Sequence, residues 1–253
     1  MLALAYQISV IHHLVGLVRL RIRKKNYRPL NMELIAINLA RLVAFTELGS
    51  WDPFGKASAL DAIQSLAKKF SFSVSPVSFE QLDFTVGVEL SAGRLRDINI
   101  DKFTIFTNGI VIDTRSSTDD SVDVFTEVVA HAKESFGSKI QFHRHHFVSN
   151  IVFTSEMRLA KLHPTLQKIA DKLAASASAD MKHPFVFEPT AFLINLDPSQ
   201  AKIAPSSFSI ERRAEIPFSE NTYFSAAPLE TMKHIELVEE FEAALLERAP
   251  QNT

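Results

Sequence analysis

Asn108 and Gly109 lie between two short runs of β-branched and aromatic residues, 103–106 and 110–113. An Asn-Gly pair tolerates the positive φ angles of a tight two-residue turn, and runs of this composition favour extended backbone. The pattern predicts a β-hairpin with Asn108 and Gly109 as its turn. Because strands joined by a tight turn run in opposite directions, the fold must contain an antiparallel strand pair.

Strand-like runs alternate with runs of helical apolar spacing along the rest of the chain. Pro189 lies between the predicted strands 185–187 and 192–196 and favours a position at the edge of the sheet for this part of the chain. These patterns predict an α+β fold in which helices cover a predominantly antiparallel, or mixed, sheet with β-hairpins. The predicted helices are 31–48, 56–69, 118–135, 164–173 and 229–247. The predicted strands are 86–90, 95–100, 103–106, 110–113, 140–153, 185–187, 192–196, 208–213 and 222–225, with a turn at 91–93 and a loop at 174–180.

Two parts of the chain share one order of predicted elements. Residues 98–135 and 208–247 each contain strand, turn, strand, loop and helix. The order suggests duplicated ββα or ferredoxin-like halves, although shared strand propensity alone would produce the same similarity. The predicted organisation is an N-terminal segment 1–31, a helical lead-in 32–75, and a body 76–253 with halves at about 80–138 and 139–248.

The first 31 residues differ from the rest in charge. They contain six basic residues and no acidic residue, and residues 2–18 carry no charged side chain. Three interpretations stay open: a helix docked on the body, a membrane anchor or interfacial helix within residues 1–25, or an extension before a working protein that starts near Met32. Seventeen helical residues span about 25 Å, short of a hydrocarbon core of about 30 Å. We therefore expect a cytoplasmic protein, with membrane association as the alternative.

The composition excludes several classes of function. With no cysteine, the chain has no disulfide, no thiolate nucleophile and no thiolate metal ligand. Its seven glycines form no phosphate-binding loop, so we expect no cofactor. After residue 31 the chain carries 21 basic and 29 acidic side chains, which disfavours nucleic acid as a partner.

A cluster of histidines, His143-Arg144-His145-His146, falls inside the predicted strand 140–153. Strand alternation places His143 and His145 on one face and Arg144 and His146 on the other. Two imidazoles at this spacing can share a metal ion, which would make the protein a metal-dependent hydrolase or nuclease. The alternative is an exposed sheet face without metal, which we expect. A third ligand would have to come from Asp101, Asp113, His131 or Glu211.

Arg144, Arg212 and Arg213 are the candidate partner-binding residues, because arginine is enriched at interfaces. Surface ion pairing is the ordinary alternative for Arg212 and Arg213. No catalytic constellation is apparent in the sequence. We therefore predict a non-catalytic interaction or assembly module that binds an unknown protein partner or associates with itself.

Overall fold

The computed structural model describes residues 32–46, 55, 57–162, 164–200 and 205–247. Within these ranges the chain forms four α-helices and one eight-stranded antiparallel sheet, which confirms the predicted α+β fold. The helices are α1 (Ala59–Lys69), α2 (Thr118–Phe136), α3 (Pro164–Met181) and α4 (Thr231–Glu247). The strands are β1 (Glu33–Thr46), β2 (Val88–Leu95), β3 (Ile98–Phe106), β4 (Gly109–Thr114), β5 (Phe142–Thr154), β6 (Ala191–Ile194), β7 (Phe208–Arg212) and β8 (Thr222–Ala227).

The two long strands β1 and β5 form the centre of the sheet, whose order is β2-β3-β4-β1-β5-β8-β7-β6. Ala40 of β1 lies opposite Ser149 of β5. From that point β1 pairs with β4 along residues 40–45, and β5 pairs with β8 along residues 149–154. Each central strand therefore pairs with its flanking three-stranded meander along only half of its length.

The order strand, helix, three strands, helix occurs twice, from β1 to α2 and again from β5 to α4. In each half the three strands of the meander follow one another along the chain. A ferredoxin-like unit would instead interleave its second helix between its last two strands. The ferredoxin-like arrangement is therefore not confirmed.

The predicted helix over 31–48 is wrong, because residues Glu33–Thr46 form the central strand β1. Its apolar residues are not confined to one helical face, a distribution that a deeply buried helix also shows. A central strand gives the same distribution when both of its faces carry apolar residues. Ala40, Leu42 and Ala44 face the core and are fully buried. Residues 32–46 thus belong to the sheet and are not a helical lead-in.

Several boundaries also differ from prediction. The hairpin is present, but Phe106 pairs with Gly109, so Thr107 and Asn108 form its turn. The predicted loop at 174–180 is helical, because its alanines are strong helix formers. The predicted turn at 91–93 lies within β2, where Ala92 has a φ of 53°. Residues 185–187 form no strand, whereas β6 is the edge strand that Pro189 predicts.

The core lies between the sheet and the helices in two main clusters, one for each half. In the first, Ile63 of α1 and Val124 of α2 pack against β1 to β4. In the second, Val238 and Leu245 of α4 pack against β5, β7 and β8. Burying each such side chain contributes about 1.5–3 kcal/mol, so each half has its own source of stability.

Candidate interaction surface

The helices α2 and α4 begin next to each other and cap one another. The backbone N–H of Thr118 donates to Thr231 Oγ1 at 3.0 Å, and the N–H of Thr231 donates to Thr118 Oγ1 at 2.9 Å. Both threonines are buried. Because the first N–H groups of a helix lack intrahelical partners, each threonine satisfies one such group of the other helix. The exchange joins the two halves.

A buried polar group lies one turn into each of these helices. In α2, Ser121 Oγ donates to the carbonyl of Ala40 at 2.9 Å. The corresponding residue of α4 is His234, whose Nδ1 lies 2.6 Å from Ser149 Oγ and whose Nε2 lies 2.8 Å from Ser225 Oγ. All of these side chains are fully buried.

The hydrogen bonds fix the protonation of His234. Ser225 Oγ donates its hydrogen to the carbonyl of Ser209 at 2.6 Å, so its oxygen accepts from His234 Nε2–H. His234 Nδ1 is then free to accept from Ser149 Oγ. Burial lowers the pKa of His234 to about 4, which keeps the ring neutral near pH 7. Both ring nitrogens of His234 therefore have hydrogen-bond partners inside the core. Neither serine can reach a substrate, because both are fully buried.

A second buried polar network involves Ser155, whose Oγ donates to Glu242 Oε1 and accepts from the backbone N–H of Met157. The hydroxyl of Tyr223 donates to the carbonyl of Met157 at 2.5 Å. Ser155 and Glu242 are 3% and 0% exposed. This serine and carboxylate therefore hold the chain beyond β5 in place and offer no accessible nucleophile.

Arg212 is occupied within its own chain. Its Nη1 donates to the carbonyl of Phe218 at 2.9 Å, and its Nη2 lies 3.3 Å from both Glu188 Oε2 and Asn221 Oδ1. The guanidinium also lies 4.9 Å and 5.2 Å from the ring centres of Phe218 and Tyr223. Its Nε is buried and has no hydrogen-bond partner among the described residues, and the side chain is only 5% exposed, so a partner protein has little access to its remaining donors.

The other two candidate arginines are exposed but far apart in the fold. Arg213 follows the end of β7, whereas Arg144 lies near the start of β5. The structure therefore does not bring the three candidate arginines together. Binding of a partner by Arg144 or Arg213 stays a prediction.

The histidine cluster lies on both faces of β5, as alternation predicts. The His145 ring contacts Phe125 of α2 edge-on at 5.0 Å, and the His146 ring contacts Phe45 of β1 at 5.6 Å. In the described part of the chain no group of three metal-ligating side chains occurs, so His143 and His145 gain no third ligand there. Whether they bind metal stays a prediction.

The four proposed third ligands have other neighbours or lie elsewhere. Asp113 accepts two hydrogen bonds from Arg41, at 2.7 and 2.8 Å. Asp101 pairs with Arg115 at 3.1 Å. His131 Nε2 lies 3.0 Å from Ser65 Oγ, and burial, more than the nearby Lys69, lowers its pKa. Glu211 lies on β7, next to the edge strand.

Two clefts lie beside the start of β3, with volumes of about 460 and 250 Å³. Asn99 and Arg115 line both of them. Both acidic and basic side chains line each cleft, and Arg115 is paired with Asp101. The clefts therefore have no single charge that would select a ligand.

The most unusual surface lies in the second half. Among the described residues, nine of the sixteen exposed large apolar side chains fall between residues 166 and 196. Soluble proteins expose such residues singly far more often than in groups. These nine residues lie on α3, in the segment that follows it and on β6, and we refer to them together as the α3–β6 surface: Leu166, Ile169, Leu173, Met181, Val186, Phe187, Leu193, Ile194 and Leu196. Because Leu193 and Ile194 lie on opposite faces of β6, the set is defined by its position in the chain, and the stripe on α3 is the part that forms one face.

The α3 helix contributes an apolar stripe to this surface. Leu166, Ile169 and Leu173 are 49%, 51% and 53% exposed, at the spacing of one helix face. The helix α1 occupies the same place in the first half and buries Ala62, Ile63 and Leu66. In contrast, Ala170 is the buried residue of α3. The predicted helix 164–173 lies within α3, but a helical pattern cannot show whether an apolar face is covered.

The chain matches no family model and no curated protein. None of the helices in the described ranges is long and apolar enough to cross a membrane. The predictions for residues 1–31 lie outside the described residues.

Proposed function

We propose that this protein is a non-catalytic interaction module that binds a protein partner, or a second copy of itself, through the α3–β6 surface. The observation that carries the proposal is the α3 stripe, in which Leu166, Ile169 and Leu173 are each about half exposed. Exposed apolar side chains at helical spacing fit the mode in which a helix packs into a groove of its partner. Covering them would remove apolar area from water and so favour association.

The buried polar groups support a non-catalytic function. Catalytic side chains have to reach a reacting atom, usually from a concave pocket with convergent polar groups. Ser149, His234 and Ser225 form one hydrogen-bonded group, and Ser155 and Glu242 form another. Both groups contain residue types found in catalytic sites, but all of their side chains are buried. Their geometry is suited to holding strands and helices together.

Sedimentation velocity of the protein in an extract of the cells that make it tests the proposal. We expect a complex larger than one chain, which the double variant Ile169→Glu/Leu173→Glu should dissociate to a single chain. The matched control is Val77→Glu/Phe79→Glu, which alters two apolar residues that are 72% and 59% exposed in the first half.

The control should leave the complex intact. A wild-type protein that sediments as a single chain in the extract would contradict the proposal. So would a complex that survives the α3 variant.

A further inference from the structure

The first half of β5 has an edge that the described chain leaves unpaired. We call residues 144–148 the β5 arm. They pair with β1 through Arg144–Phe45, His146–Val43 and Val148–Arg41, whereas β8 begins to pair only at Ser149. Within the described residues, no other strand pairs with the arm. In an antiparallel strand every second residue directs its N–H and C=O away from a given neighbour, so the arm offers backbone donors and acceptors on its open side.

The arm belongs to a basic part of an otherwise acidic body. Residues 137–155 contain Lys139, Arg144 and three histidines, but no aspartate or glutamate. By comparison, the chain after residue 31 has an excess of eight acidic residues. No ion pair joins Arg144 to a described residue, and its side chain is exposed. The charge of this part of the chain favours an acidic partner.

The side chains of the arm match the spacing of a neighbouring strand. His145 faces α2, where its ring contacts Phe125, so Arg144 and His146 lie together on the opposite face. They are two residues apart, which is the repeat of side chains on one face of any strand. A strand added beside the arm would place alternate side chains next to Arg144 and His146.

From this geometry we infer that the β5 arm binds an extended acidic peptide, which adds to the sheet as a further strand beside residues 144–148. Backbone hydrogen bonds to the open edge hold the peptide, and its alternate carboxylates lie next to Arg144 and His146. The site is separate from the α3–β6 surface and does not depend on the proposed function of that surface. A single-stranded nucleic acid would also be attracted by Arg144, but it lacks the regular amide groups that pair with a strand edge.

Fluorescence anisotropy of the full chain with labelled synthetic peptides tests the inference. The first probe is an extended peptide of alternating glutamate and valine. The second has the same residues with an N-methyl group on every backbone amide, which removes all of its backbone donors and keeps the charge. The third replaces the glutamates with lysines, and a single-stranded oligothymidylate is the fourth. The acidic peptide should bind at least about tenfold more tightly than each of the other three, a difference of about 1.4 kcal/mol.

Two single variants locate the site. Arg144→Glu should weaken binding of the acidic peptide by about tenfold, because it replaces an attraction with a repulsion. Arg158→Glu, the matched change at an exposed arginine beyond the other end of β5, should leave the affinity unchanged. The α3 variant Ile169→Glu/Leu173→Glu should also bind the peptide as the wild type does, so the two surfaces are tested separately.

Four outcomes would overturn the inference. They are failure of the acidic peptide to bind, equal affinity of the N-methylated peptide, tighter binding of the oligonucleotide, and an unchanged affinity in Arg144→Glu. Because Arg144 is exposed, its replacement should not unfold the protein, and a thermal melt of each variant confirms that the comparison is valid.

Discussion

Acid should destabilise this protein through His234. The ring is fully buried, and it accepts from Ser149 while it donates to Ser225. Protonation would put a hydrogen on Nδ1 and leave a buried charge without a counter-ion. Burial accordingly lowers the pKa of His234 from 6.5 to about 4 in the folded protein.

The sign and size of the effect follow from the two pKa values. In the unfolded chain His234 takes up its proton near pH 6.5, whereas in the folded protein it does so near pH 4. Between these values the unfolded state binds more protons, so the free energy of unfolding falls as the pH falls. The limiting slope is about 1.4 kcal/mol per pH unit, and the total loss at pH 4 is about 3 kcal/mol. Well above pH 6.5 the histidine is neutral in both states and contributes no pH dependence.

Urea unfolding between pH 7 and pH 4 measures this effect in the wild type, in His234→Gln and in His146→Gln. His234→Gln should be less stable at pH 7 by about 1–3 kcal/mol, because it disturbs two buried hydrogen bonds. Between pH 7 and pH 4 the free energy of unfolding of His234→Gln should nevertheless fall by about 3 kcal/mol less than that of the wild type. His146→Gln removes an exposed histidine and should follow the wild type. Equal pH dependence in His234→Gln and the wild type would refute the argument.

Substitutions at three further places test the packing. Gly109→Ala should destabilise the protein by about 1–3 kcal/mol, because its Cβ would lie 2.3 Å from the carbonyl oxygen of Ala44; a urea midpoint equal to that of the wild type would contradict this. Thr118→Val and Thr231→Val should each cost about 1 kcal/mol in urea unfolding, and a double-mutant cycle should show coupling; additive losses would mean that the two caps act independently. Arg212→Lys should lower the free energy of unfolding by about 1–3 kcal/mol, because lysine cannot reproduce the forked contacts with Phe218 and Glu188, whereas Arg213→Lys should change it by less than about 0.5 kcal/mol.

The elements that the sequence predicts well carry a local signal. Ser117 caps the N-terminus of α2 with its side chain, and Gly137, with a φ of 70°, ends the helix. Both residues are recognisable in the sequence. The central strand β1 has no such signal. Its partners β4 and β5 are distant in the chain, and they decide that its apolar residues lie on two faces of a sheet.

The candidate surfaces show the same limit. The sequence predicts the helix 164–173, which lies within α3, and identifies Arg144 as a candidate contact. Periodicity does not reveal that α3 leaves its stripe half exposed or that β8 stops pairing before residue 148. His234 falls on the apolar face of the predicted helix 229–247, and a histidine there could have indicated a buried polar partner. That the partners are Ser149 and Ser225 depends on strand register, which the sequence leaves open.

Site-specific photo-crosslinking tests the α3–β6 surface most directly. A photoreactive amino acid replaces Ile169 in the full chain, and a second protein carries it at Val77, which is exposed in the first half. The account predicts a discrete crosslinked protein adduct from position 169 in the cells that make the protein. The same adduct should be absent from position 77 and should disappear when Leu166 and Leu173 are replaced by serine. No adduct at position 169, or the same adduct from position 77, would contradict it.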